Sequence, residues 1–291
     1  MAIRQQNFCA FCGGNNLSKE HLWPEWMHHL LPTDTSQSHV SLLQKRDYVD
    51  GELVHERHPR KHQGPMKAAK FRIVCRTCNS EWMSGIENRA KPILSSLMLA
   101  EETRLDKSAV EKIAAWLALR TIIFEFSGTP DSKTVPKSDY DFIRAHRLPP
   151  AHWRIWIGYQ DSPKWIMRIY NLPTMQMFQS QLASYIESGK PRKTNVLTTS
   201  FGLGQLFAYV CFTNEPKLID NHNSAVDNFR TDRGDPILLK VWPYTEDLIW
   251  PHAVLLDTGN VDYIANAINS ISKPVPAEFR DAISTHEESC P

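Results

Sequence analysis

Between residues 38 and 58 two β-prone runs, HVSLLQKRDYV and ELVHERH, flank Asp50-Gly51. An Asp-Gly pair between such runs predicts a hairpin. A third run, KFRIV, leads straight into Cys75, and SEWMSGIENRAKPIL behind it reads as a helix. From Lys107 to Phe126 apolar positions recur every three or four residues (Val110, Ile113, Ala114, Leu117, Thr121, Phe124), which predicts a helix with one buried stripe. Ser108 and Glu111 are spaced as a capping box at its start, and Gly128-Thr-Pro130 ends the unit. A short helix is expected over 137–146. The pattern then turns to strands in WRIWIGY, WIMRIYN, FGLGQLFAYVCFT and PILLKVW, with a further helix near 174–186 and a last one from Val261 to Ile271. These elements predict an α+β protein divided at about residue 100: a small N-terminal module over 1–100, and an α+β unit with an antiparallel sheet over 101–291.

Composition agrees with a folded chain: 42% of the 291 residues are hydrophobic, 22% are charged, and nine are tryptophan. The net charge of +1 hides an asymmetry, because residues 1–100 carry 13 Lys and Arg against 9 Asp and Glu. Seven of the basic residues (Arg57, Arg60, Lys61, Lys67, Lys70, Arg72 and Arg76) fall in one acid-free stretch. Such a stretch suits a phosphate backbone, or else is a solvated loop. No run approaches the roughly 18 apolar residues of a membrane helix. The start, MAIRQQNFCAFCGG, lacks an apolar signal core. A cytoplasmic, reducing setting is expected, with no membrane partner.

Four of the six cysteines form two C-x-x-C pairs, Cys9 with Cys12 and Cys75 with Cys78. Each turn aims two sulfurs at one point, and two such knuckles predict a four-thiolate zinc site. A filled sphere of four thiolates makes that zinc structural: it closes the 62 residues between Cys12 and Cys75. Cys211, in LFAYVCF, reads as a buried small hydrophobe. Pinning the knuckles together would bring Glu20 and His21 of LSKEHLWPEW near Asn79 of CRTCNSEWM. A carboxylate and an amide oxygen suit a hard divalent cation, and an imidazole beside them can take a proton from water. Each residue also has a structural use. Asn79 can cap the following helix, Glu87 can anchor a basic side chain, and Trp23, Trp26 and Trp82 read as the module's core.

In this order of motifs, residues 8 to about 95 resemble the zinc-containing HNH endonucleases. SKEH…P followed by C-x-x-C-N-x-x-W-M-x-x-x-E is similar to a subgroup of bacterial and phage-associated members. The resemblance implies a ββα-metal fold, with His21 as general base and Glu20 and Asn79 holding a catalytic Mg, Mn or Ni ion. It implies a DNA substrate, probed for in settings such as restriction or antiphage defence, and a homodimer if both strands are cut together. Two departures are visible. Glu20 stands where Asp is usual, and no residue in KAAKFRIV matches the Asn that orients the base, leaving His58, His62 or a backbone carbonyl as substitutes. A zinc-knuckle protein that binds nucleic acid without cutting it is the alternative.

Overall fold

The structure, a computed structural model, describes residues 7–31, 38–49, 52–63, 70–126, 133–188 and 193–267. It is a mixed α+β fold with antiparallel sheets. β1 (Leu17–His21) leaves the first knuckle, and a 3-10 turn (Glu25–His29) follows. β2 (Ser38–Val49) and β3 (Glu52–Gln63) pair along their whole length, from Ser38 opposite Gln63 to Val49 opposite Glu52. This is the predicted hairpin, although Asp50 and Gly51 themselves lie outside the described residues. β4 (Lys70–Cys75) pairs not with that hairpin but with β1. The partner is hidden in the sequence because LSKEH carries only one apolar residue.

Helix follows directly from β4 as α1 (Arg76–Cys78), a π-helical turn (Asn79–Met83) and α2 (Ser84–Met98). β5 (Thr103–Leu105) leads to α3 (Lys107–Glu125), whose N-cap is Asp106 and not the expected box at Ser108: Asp106 accepts the Ala109 N–H at 2.8 Å. Nor does α3 show a single stripe. Every residue from Ile113 to Glu125 is buried. A helix apolar all round is a core helix, and α3 is one because α2 covers one side and a sheet the other.

That sheet takes up most of the rest. α4 (Lys137–His146) precedes β6 (Arg154–Gln160) and β7 (Met167–Thr174); α5 (Gln179–Glu187) precedes β8 (Val196–Leu203) and β9 (Leu206–Thr213). The run FGLGQLFAYVCFT is therefore two strands turned at Gly204-Gln205, not one. α6 (Pro216–Asp227), β10 (Leu239–Trp242), β11 (Leu248–Trp250), β12 (Leu255–Leu256) and α7 (Thr258–Ala267) complete the order. The sheet runs β10-β6-β9-β8-β7, antiparallel throughout, with β12 added parallel to β6.

Side chains alternate between the two faces of a strand. Ile155, Ile157, Phe201, Ala208 and Val210 pack toward α3, while Trp156, Val196, Phe207, Tyr209 and Cys211 pack with Leu218 and Val226 of α6 and Val261 and Ile264 of α7. With both faces covered, β8 and β9 are buried at every position, which explains the apolar run Leu206–Phe212 of β9. Gly202 is required here: a Cβ at this position would lie 2.0 Å from the Trp165 carbonyl oxygen. One hydrophobic cluster joins Phe11, Trp23 and Trp82 near the knuckles to Trp116 of α3 and Trp250 of β11. No helix among the described residues is long and apolar enough to cross a membrane.

Candidate metal centre and adjoining pocket

The two knuckles meet. The Sγ atoms of Cys9, Cys12, Cys75 and Cys78 all lie within 4.8 Å of one another, and those of Cys12 and Cys75 are 3.4 Å apart. Zinc bound tetrahedrally at about 2.3 Å asks for sulfurs about 3.8 Å apart, so the cluster can hold a metal such as zinc. The backbone supports it. Gly13 turns the chain at φ 74°, and the Gly14 N–H donates to Cys12 Sγ at 3.3 Å while the Cys78 N–H donates to Cys75 Sγ at 3.4 Å. Two further bonds tie the segments, from Ala10 N–H to the Ile73 carbonyl and from Arg76 N–H to the Asn16 carbonyl, both 2.9 Å. Burial, the largest single influence, raises the Cys12 thiol, but the Gly14 N–H and the neighbouring sulfurs together outweigh it and bring the group down to about 7. Burial pushes Cys78 up to about 12, so a metal there must displace its proton. Cys211 is buried, and its thiol is pushed up to about 12 by desolvation.

Beside the staple, β1 and β4 set the second group of residues. Their register slips between Ser18 and Glu20, where Arg72 and Ile73 of β4 stand against the single Lys19 of β1. Bulges of this kind re-aim side chains next to sites. Glu20 is turned inward and buried, while His21 stays a quarter exposed opposite Lys70. Asn79 opens the π-helical turn, an irregularity that concentrates at functional positions. Glu20, His21 and Asn79, which the spacing of the knuckles predicts as neighbours, line one pocket of about 360 Å³ together with Glu25, Glu87 and Arg120.

The polar contacts in this pocket are specific. Arg120, from the middle of α3 and only 3% exposed, donates from Nη1 to Glu20 Oε1 at 2.8 Å and to the His21 carbonyl at 2.9 Å, and from Nη2 to Glu87 Oε2 at 2.5 Å. His21 Nε2 lies 3.3 Å from Glu25 Oε1, a 3-10 turn away. The carboxylate beside His21 is thus Glu25; the side chains of His58 and His62 lie outside the described ones. Asn79 donates through Nδ2 to Ser18 Oγ at 3.3 Å, leaving its amide oxygen as an acceptor. Its capping role goes to Cys75 instead, the N-cap of α1.

Two carboxylates, Glu20 and Glu87, share the Arg120 guanidinium, and Glu25 adds a third to the pocket lining, an excess of negative charge that favours a cation. The oxygen donors of Glu20, Glu87 and Asn79 are of the hard type that magnesium or manganese takes. Among the described residues, the four cysteines are the one group of three or more His, Cys, Asp or Glu side chains whose ligand atoms converge. Glu20 shares its carboxylate with Arg120.

Of the basic run, Lys70, Arg72 and Arg76 are exposed on or just after β4, while Arg57, Arg60 and Lys61 lie along β3. Lys67 lies outside the described residues. Arg120 and Glu25 are missed by sequence reasoning. Arg120 sits in an apolar helical run whose only unusual feature is a charge, and that charge is the signal: a lone arginine in a core helix demands a buried anion. Comparison with protein-family models, curated proteins and solved structures found no match for the chain.

Proposed function

We propose that the chain is a metal-dependent phosphodiester hydrolase of the HNH type that acts on DNA. The observation that carries this is the pocket itself: Glu20, His21 and Asn79 face one cleft beside the four-cysteine cluster. His21, with Nε2 held by Glu25, is a base whose second nitrogen can accept a proton from water as its oxygen attacks phosphorus. Glu20, Asn79 and Glu87 would hold the divalent ion, which supplies charge stabilisation to the phosphate and the leaving oxygen. Glu20 is held in place because Arg120 donates to its Oε1, and Arg120 fixes the backbone of His21 with the same nitrogen. Arg120 is therefore a positioning residue, brought to residues 1–100 by a helix beyond them. Exposed Lys70 pairs with His21 across the two strands, and its positive charge there would suit a phosphate backbone.

Plasmid cleavage with Mg²⁺, Mn²⁺ or Ni²⁺ tests this, run beside His21→Ala with zinc content measured on both. Cleavage by the native protein, lost in a variant that still carries one zinc, is the expected result. Binding of DNA with no cleavage under any of these metals would favour the zinc-knuckle binding protein. Equal cleavage by the variant would place the chemistry elsewhere.

A further inference from the structure

The residues of the π-helical turn that do not face the His21 pocket face a second one. It has a volume of about 490 Å³ and is lined by Glu81, Trp82, Asp141, Arg144, Ala145 and Arg147. Arg144 lies in the last turn of α4 and Arg147 is its C-cap. The guanidinium of Arg147 stacks over the Trp82 ring at 5.1 Å, and its Nη1 is buried without a hydrogen-bond partner. A third guanidinium, that of Arg89 on α2, lies against Gly85 one turn nearer Trp82.

Neither Arg89 nor Arg144 is hydrogen-bonded or ion-paired among the described residues. Desolvation first, and then the charges of Arg89 and Arg144, depress the ionisation of Arg147. The facing acids do not balance the group. Asp141 is paired with Lys137, which leaves Glu81 against three arginines. The backbone conformation of Arg147 adds to the oddity, since its φ of 60° is a region that a residue other than glycine enters at a cost of about 1 kcal/mol. Two guanidiniums lining the cleft, one of them with a desolvated and unmet donor, and a third near enough to act on it call for an anion with several oxygens. Planar forks of this kind match phosphate.

We infer that the Arg144–Arg147 cleft, with Arg89 beside it, binds the phosphate backbone of duplex DNA. This rests on the hydrolase being a DNA enzyme, and it deepens that assignment by naming where the strand is gripped beside the turn that carries Asn79.

The test is fluorescence anisotropy with a labelled 20-base-pair duplex, in magnesium-free buffer over a series of salt concentrations. The parent is the His21→Ala protein, compared with the same protein carrying Arg89→Gln and Arg144→Gln. Both arginines are exposed, so the fold should survive their loss. With two phosphate contacts removed, the slope of log K against log salt becomes shallower by about 1.8, and affinity at low salt falls at least tenfold. The lysine pair, Arg89→Lys with Arg144→Lys, keeps most of the slope. An unchanged slope in the glutamine pair overturns the site, as does a lysine pair that falls as far as the glutamine pair, or a parent that binds no duplex. An unchanged slope alongside His21-dependent plasmid cleavage removes this site and leaves the hydrolase. Arginine-dependent binding by a native protein that cleaves nothing does the reverse.

Discussion

Arg120→Met asks most directly whether the buried ion-pair network holds the pocket together. The side chains of Arg120 and Glu20 are 3% and 9% exposed, so neither charge can regain water where it sits. Removing the guanidinium strands the Glu20 carboxylate and leaves the His21 carbonyl short of a donor, whereas Glu87, a quarter exposed, partly resolvates. Loss of one partner from a buried pair costs about 3–5 kcal/mol. Adding Glu20→Gln removes the stranded charge as well, and the double variant should regain at least about 1 kcal/mol over Arg120→Met. Urea unfolding followed by tryptophan fluorescence and by circular dichroism, extrapolated at constant m, measures both. A loss below about 1 kcal/mol in Arg120→Met, or a double variant no more stable than the single, would refute the idea that Glu20 is held by this arginine.

Two further outcomes concern other parts of the molecule. Cys78→Ser should abolish stoichiometric metal, read as zinc per chain by atomic absorption, and lower the melting temperature; a variant that keeps one zinc would show that the cluster is not the site. His222 is buried on α6, and desolvation lowers its ionisation from the ordinary 6.5 to about 4. Its folded-state value is the depressed one, so its stabilising effect is present above pH 6.5 and is lost as pH falls toward 4. The stability of the native protein relative to His222→Gln should therefore decline by about 3 kcal/mol across that window, and a pH-independent difference between the two would show that the imidazole is not desolvated.

Much of the fold was legible because its signals are local. The helical character of α3 (though not its single stripe), the Asp-Gly signal between β2 and β3, and the β-branched and aromatic runs of β6 and β9 each follow from local residue preferences within one element. What was not legible depends on distant partners. β1 is short and polar, and becomes a strand only because β4 lies beside it. The cap of α3 falls at Asp106 because its side chain can reach the Ala109 N–H, a choice between neighbouring candidates that the backbone makes. At the pocket, His21 and Asn79 were found through the knuckles, whose spacing in the sequence implies proximity. Arg120 is 100 residues from Glu20, and no periodicity links them.

The hairpin of β2 and β3 begins and ends at one place, since Ser38 and Gln63 are paired neighbours. Closing a chain loop becomes costlier only with the logarithm of its length, about 0.6 kcal/mol for each doubling. The stretch between the two knuckles can therefore be shortened to a turn across Ser38 and Gln63, or lengthened considerably, with little effect on how readily the cysteines meet. This makes the hairpin the part of the N-terminal region with the greatest latitude for change in size, and a natural point of insertion for engineered sequence. The short strands on either side have no such freedom, because Glu20 is held by Arg120 and Cys75 by the cysteine cluster.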